Sequence, residues 1–247
     1  GHLKLNKLIV LFDDNGISID GPLSLSDSVD QVKRFEACGW TAERIDGHDP
    51  KAIADAIARA QKADRPTLIA CKTVIGFGAP KRAGTSKAHG EPLGAEELAG
   101  AKTALGWNHG PFDIPADILA AWRGAGNRGK AAHEAWNAKL AALPADAKSE
   151  FTRRVAGTRP AALGAALADL KAKLVAAPQE VATRKASEIV LETLTQALPE
   201  LVLGSADLTP SNNTKTKNLT AISPGQYAGR YIHYGIREHG MAAAMNG

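Results

Sequence analysis

Leu8-Ile9-Val10-Leu11-Phe12-Asp13-Asp14-Asn15-Gly16 is the stretch that decides the fold class. Five apolar residues in a row suit a strand buried on both faces, as in a parallel sheet. Two acids and an Asn-Gly turn end it abruptly. Ligands of open parallel sheets bind outside the carboxyl ends of the strands, so this polar cluster stands where chemistry is expected.

Working outward, the pattern repeats. Val29, Val32 and Phe35 have helical spacing within residues 26–37, and Gly39 is placed to stop that helix. Trp40 to Ile45 reads as a second strand. Asp49-Pro50 opens a helix that reaches about Ala63, because Asp caps free amides and Pro suits the first helical position. Thr67 to Val74 reads as a third strand. Strand and helix alternating at these spacings give an α/β fold with a parallel sheet. Residues 76–93 form a Gly-, Pro- and Lys-rich loop, long enough to suggest function. A helix from Ala95 to Leu105 follows.

Composition then shifts. Of 46 alanines, 23 fall in residues 101–177. Helices are expected over 115–123 and 129–142, interrupted by Gly124 to Gly129, and another within 157–182. Trp122 and Trp136 stand nearly a whole number of helical turns apart. This is a helical connector. The α/β rhythm resumes with a helix over 186–197, a short strand at Leu201-Val202-Leu203, a polar loop over 209–227, a strand at Tyr231 to Tyr234 and a helix from Ile236.

The bulk properties exclude several classes. With 44% hydrophobic and 23% charged residues over 247 positions, a packed core is expected. No apolar run reaches the ~18 residues of a membrane helix, and no secretory leader is visible. Two cysteines, Cys38 and Cys71, cannot make a disulfide framework and suit a reducing compartment. A net charge of +4 and short clusters (Lys81, Arg82 and Lys87; Lys215 and Lys217) fall short of a nucleic-acid footprint. They read as solvated loop charge or as attraction for a small phosphorylated ligand.

Five constellations can carry chemistry, and each also has a plain structural reading. Asn15 and the Ile17 carbonyl offer oxygens to a hard cation, or form a simple turn. Gly76 and Gly78, with His89 downstream, let backbone and imidazole approach a diphosphate, or make a surface loop. Arg184 can grip phosphate, or be a surface charge at a helix start. Asp207 and Ser211 lie just past a strand end, in a polar turn. Glu238 opens an apolar helix, where a desolvated carboxylate can share a proton or merely complement the helix dipole.

The order of the motifs is more specific than any one of them. DDNGISIDG (13–21), IGFG (75–78) with HGEPLG (89–94), ATRKASE (182–188), GSADLTPSN (204–212) and GRYIHYGIREHGM (229–241) resemble the transketolase family of thiamine-diphosphate enzymes. The resemblance is clearest over 1–107 and 183–247 and loose through 108–180. It implies portions of two thiamine-diphosphate-binding parallel-sheet domains. Residues 1–107 would be the C-terminal part of the diphosphate-binding domain, 108–182 the helical connector, and 183–247 the start of the pyrimidine-binding domain. It implies Asn15 and Ile17 as ligands of Mg²⁺ (or Ca²⁺ or another divalent cation) and Ile19 as an apolar cofactor contact. His89 would touch the diphosphate near the reacting centre, and Asp207 would lie near the cofactor at a subunit interface. Arg184 and Ser211 would hold the sugar phosphate. Glu238 would hydrogen-bond the aminopyrimidine, making it, with His89, catalytic. The implied activity is transfer of a two-carbon ketol unit between sugar phosphates in the pentose phosphate pathway, by a cytoplasmic homodimer. A dihydroxyacetone-synthase type of enzyme or a non-catalytic transketolase-like module are the alternatives. Glu91 stands where the family usually has Ala. The family's Gly-Asp-Gly motif, with a third metal ligand, does not precede Asn15. The chain is therefore expected to be an internal piece, inactive alone.

Overall fold

A computed structural model describes residues 1–247. The fold divides into two units, Gly1–Ala121 and Trp122–Gly247. The first is organised around a three-stranded parallel sheet in the order β1 (Ile9–Asp14), β5 (Thr67–Lys72), β4 (Thr41–Asp46). Helix α1 (Gln31–Ala37) and helix α2 (Pro50–Ala60) supply the crossovers. Their caps are as the sequence requires: the Asp30 carboxylate accepts from the Lys33 amide, and that of Asp49 from the Lys51 amide.

The strand buried on both faces is β5 and not β1. Thr67, Leu68, Ile69 and Ala70 are buried, whereas Leu8 and Leu11 at β1 are 43% and 54% exposed. The apolar run of β1 was the stronger sequence signal, but β1 lies at the sheet edge, with β5 on one side only. Ala56 and Ala60 of α2 pack on Ile69, with Ile9, Ile45, Ile57 and Cys71 around them. Small alanines let the helix come close to the sheet. The helix expected over 26–37 is confined to α1 and preceded by a 3₁₀ turn at Leu23–Leu25. A tiny hairpin, β2 (Ile17–Ser18) with β3 (Gly21–Pro22), follows β1. Helix α3 (Ala95–Ala104) follows the long loop.

Register does the positioning. Asp14 and Asp46 both pair with Lys72, so the three strands end in one row. The turns after β1, β4 and β5 thus share one edge.

The alanine-rich stretch is helical, with shorter interruptions than expected. Helix α4 (Ala116–Asn127) runs through Gly124 and Gly126, and α5 (Lys130–Ala141) begins three residues later. Trp122 and Trp136 therefore stand on different helices, and their spacing has no helical meaning. Helix α6 (Ala145–Val155), unforeseen in the sequence, is clamped within the second unit. Arg153 donates to Glu150 at 2.7 Å and to Glu200 at 3.0 Å. Arg153 and Arg154, both hydrogen-bonded to it, hold the Glu150 carboxyl at about 2, well under its ordinary 4.5.

Helix α7 (Ala162–Ala176) packs along α8 (Thr183–Ala197). Strands β6 (Leu203–Ser205) and β7 (Tyr231–His233) form a parallel pair. Between them lies the four-residue helix α9 (Thr209–Asn212), and α10 (Glu238–Asn246) closes the chain. The Arg230 guanidinium donates to the carbonyls of Thr195, Leu198 and Leu201, capping the end of α8. No helix is long and apolar enough to cross a membrane.

Candidate functional site

In the first unit the turn after β1 is tightly ordered. Asn15 Oδ1 accepts from the Ile17 amide at 2.9 Å, and Asn15 Nδ2 donates to Asp13 at 3.1 Å. Thr73, just past β5, donates to the other Asp13 oxygen. Asp13 thus fixes which way the Asn15 amide faces. A carbonyl oxygen has two lone pairs, so Asn15 Oδ1 keeps one for a further partner.

The Ile17 carbonyl is also left available. Leu23 donates to Gly16, which makes Ile17–Pro22 the hairpin pair without ladder bonds, and Pro22 has no N–H to give. Two hard oxygens thus stand at the strand end, beside a cleft of about 450 Å³ lined by Asp13, Asp14, Asn15, Ile17 and Leu23. The Lys72 ammonium lies beside the turn, 3.6 Å from where Gly16 would carry a Cβ. No group of three His, Cys, Asp or Glu side chains is placed to hold a metal. The expected set is of another kind, an amide and a peptide oxygen. These suit Mg²⁺, which shares its ligands with water and phosphate. They fit as part of a coordination shell and not as a whole one. Burial first, and then the Asp13 carboxylate, push the Cys71 thiol up from its ordinary value.

Ile19 projects into solvent, 72% exposed. His89 is exposed at the end of a 3₁₀ turn, Ser86–Ala88, on the long loop. That loop is stapled by Glu97. Its carboxylate, 8% exposed as a residue, accepts from the amides of Lys81 and Arg82 at 3.1–3.2 Å. Arg82 in turn donates to the carbonyls of Lys87 and Pro92 and pairs with Glu91 at 3.3 Å. Lys81 pairs with Glu96. Two of the three cations in this cluster are thereby taken by the loop itself, which weakens the cluster as an anion site.

In the second unit, β6 and β7 run parallel, so Asp207 and the turn leading to Glu238 follow the same ends of the pair. Gly204 allows the two strands to meet: a Cβ there would lie 2.7 Å from the Ile232 carbonyl. Asp207 is held at φ +61°, a left-handed conformation uncommon for a residue other than glycine. Ser211 lies on α9, exposed. The loop around it is fixed by Tyr231, which is fully buried; its hydroxyl meets those of Thr209 and Thr214 at 2.8 and 2.9 Å. The Ser205 hydroxyl accepts from the Leu208 amide and from Asn212.

Arg184 stands in the first turn of α8, and its guanidinium has no hydrogen-bond or ion-pair partner within the chain. A cation there opposes the helix dipole and gains nothing locally. Glu238 is the first residue of α10 and is exposed. The desolvation expected for it is not found, since nearly all of α10 is exposed.

The candidate residues divide between the units. Asn15, Ile17, Ile19 and His89 belong to the first; Arg184, Asp207, Ser211 and Glu238 belong to the second. Asn15 and Ile17 follow the end of β1 and Asp207 and Ser211 that of β6, Glu238 follows β7, His89 lies on the long loop, and Arg184 opens α8. Sequence reasoning missed the residues that hold them: Asp13 and Thr73 for Asn15, Glu97 and Arg82 for the His89 loop, and Tyr231 for the Ser211 loop. Acids next to Asn15 were a visible signal, whereas Glu97 and Tyr231 looked like an ordinary helix acid and strand aromatic.

Comparison with known proteins places the chain. The family described as "Transketolase, thiamine diphosphate binding domain" matches residues 1–160, and "Transketolase, pyrimidine binding domain" matches 179–247. The transketolase of Cereibacter sphaeroides is 53% identical over all of this chain, and that of Sinorhizobium medicae 48%. The chain spans 37% and 35% of their lengths. Among solved structures, the transketolase of Pichia stipitis in complex with sedoheptulose 7-phosphate superposes with a TM-score of 0.87 at 38% identity, over 100% of this chain and 37% of that one. That of Campylobacter jejuni gives 0.78 at 33%, over 97% and 36%. The chain belongs to the transketolase family.

Proposed function

We propose that this member of the transketolase family supplies part of the machinery for reversible transfer of a two-carbon ketol unit from a ketose phosphate to an aldose phosphate. The observation that carries the reading is the pair of open oxygens after β1: Asn15 Oδ1, its amide oriented by Asp13, and the Ile17 carbonyl, left open by the hairpin register. In this reading they hold Mg²⁺ or a similar divalent cation against the diphosphate of thiamine diphosphate. When bound, that cofactor supplies the nucleophilic carbon and the electron sink.

The remaining roles fall to the chain's own side chains. Ile19 offers an apolar contact to the cofactor. His89 donates a hydrogen bond toward the diphosphate. Glu238 shares a proton with the aminopyrimidine ring. Asp207 lies near the cofactor, and Arg184 and Ser211 hold the substrate phosphate. Residues 1–107 act as the diphosphate half and 183–247 as the pyrimidine half, with 108–182 as connector. The whole enzyme is a cytoplasmic homodimer of the pentose phosphate pathway, with its site between subunits, and the 247-residue chain alone is without turnover. A coupled assay with pentose phosphates, cofactor and Mg²⁺ checks the last point; turnover at an ordinary enzymatic rate refutes it.

The decisive experiment replaces the matching segment of the Cereibacter relative with this chain. The chimera is expected to be an active transketolase. Glu238→Gln in it should lower kcat by at least about 10²-fold, the scale of general acid–base catalysis. Asn15→Ala should raise the Mg²⁺ and cofactor concentrations needed. A folded but inactive chimera, or a Glu238→Gln variant with unchanged kcat, overturns the reading.

A further inference from the structure

The turn after β4, Asp46-Gly47-His48, shares the sheet edge with the turn after β1 but has no role in the function proposed above. It is built to reach across to β5. The Gly47 amide donates to the Lys72 carbonyl at 2.8 Å. A Cβ on Gly47 would stand 2.9 Å from that same carbonyl oxygen and 3.0 Å from Cys71 Cβ, so only glycine allows the approach. The Asp46 carboxylate accepts from the His48 amide at 2.8 Å and fixes the turn. The His48 ring is thereby delivered to the segment beyond β5. Its Nε2 accepts from the Val74 amide at 2.9 Å, and its face stacks on Phe77 with ring centroids 4.1 Å apart and planes at 25°.

We infer that His48 is a positioning residue that latches the glycine turn 74–78 and, through it, the loop that carries His89. The contacts run in sequence. Val74 and Phe77, both held by His48, bracket Gly76. Gly76 has φ +65° and packs so closely on Ala88 that a Cβ on it would come within 2.8 Å of the Ala88 Cβ. Ala88 precedes His89. The Gly84 amide donates to the Ile75 carbonyl at 2.8 Å, joining the same turn to the middle of the loop.

An Nε2 that accepts must carry a lone pair, so the ring is the neutral tautomer with its proton on Nδ1. The chemistry asked of His48 is that of an acceptor and a flat ring. No charge is required of it. The inference deepens the proposed function, and its importance for catalysis rests on that reading, but the latch itself is a property of this chain alone.

The test uses the 247-residue chain and amide hydrogen exchange by NMR. His48→Phe keeps a ring against Phe77 and removes the acceptor. His48→Gln places a carbonyl oxygen at about the reach of Nε2 and restores it. In His48→Phe the amides of Val74 to Gly78 should exchange roughly three- to tenfold faster, the ratio set by one net hydrogen bond. Those of β1 and β5 should keep their protection. His48→Gln should return the Val74 rate to within about twofold of the parent. The ¹⁵N shifts of the parent ring should report the Nδ1–H tautomer.

Equal Val74 exchange in parent and His48→Phe, an Nε2–H tautomer, or failure of Gln to rescue where the fold is intact would each overturn the latch. The chimera separates the two levels. If His48→Phe there raises the cofactor KM while sparing kcat, and Gln reverses it, the latch serves the cofactor turn. A chimera inactive even with His48 intact removes the proposed function and leaves the exchange result standing.

Discussion

Two long loops follow parallel strand ends: residues 74–94, with His89, in the first unit and 206–230, with Asp207 and Ser211, in the second. The first is held by charge against backbone. Glu97 accepts from two amides, and Arg82 donates to two carbonyls. The second is held at its centre by neutral hydroxyls and amides around buried Tyr231, with Glu188, Glu192 and Arg230 tying its margins to α8. There the Thr195 and Thr216 hydroxyls meet Asn218 Oδ1 at 2.9 and 2.6 Å. The difference lies in burial. Tyr231, Thr195 and Thr216 are at most 2% exposed, where a charge would have to be desolvated. The ions of the 74–94 loop are less fully enclosed: Glu97 is 8% exposed and the Arg82 side chain 26%. Ionic staples hold groups that retain some solvent, whereas the most deeply buried groups are satisfied by neutral partners.

Breaking the buried side should have the largest effect. Tyr231→Ala should destabilise the second unit by about 4 kcal/mol, from lost packing and the loss of the Thr209 hydroxyl's partner. Tyr231→Phe should cost about 1–2 kcal/mol and loosen residues 209–214 specifically. Denaturant unfolding and amide exchange measure both. A Tyr231→Phe variant as stable as the parent would show the hydroxyl network to be passive.

On the charged side, Glu97→Ala should cost about 2 kcal/mol, because two amides lose their acceptor in a nearly closed position. Exchange should quicken from Lys81 to Leu93. Glu97→Gln should recover part of the loss, since its amide oxygen still accepts.

Acid tests the contrast without mutation. Glu150 is held at about 2, and Glu200 is also lowered, first of all by its hydrogen bond to Arg153. A carboxylate depressed in the folded state contributes stability that is full above its ordinary value of 4.5. That contribution fades as pH falls toward 2. Between pH 4.5 and 2 the α6 clamp should therefore loosen before the Tyr231 network does. The indole resonance of Trp136, whose ring lies 6.1 Å from Phe151 on α6, follows the clamp. Loss of both signals at one midpoint would deny the distinction. The smallest effect is expected of Glu91→Ala. Its ion pair is largely exposed and Arg82 keeps its carbonyl partners, so stability should change by less than about 0.5 kcal/mol.

Much of the fold was legible because local physics set it. The caps at Asp49-Pro50, the strand–helix alternation and the polar cluster after β1 follow from propensity and pattern over a few residues. The connector was legible only in part. Alanine carries α4 through Gly124 and Gly126 where the glycines alone suggested a break, and α6 has too few apolar residues to announce itself. Burial of β1 was misread for a related reason: an apolar run says that a strand can be covered, and its place in the sheet decides whether it is.

Family membership was likewise legible, since the motifs that hold the candidates Asn15, His89, Arg184, Asp207, Ser211 and Glu238 stand in a specific order. Their supports were not. Whether Glu97 binds amides, Tyr231 orders threonines or His48 reaches Val74 depends on partners 15 to 26 residues away in the chain. Sequence by itself determined which groups are candidates for chemistry and which strands end in one row, because those are local or periodic properties. Only the tertiary structure decided what holds each group in place, because a hydrogen bond between distant segments exists only once the register and packing of the strands have set their distance.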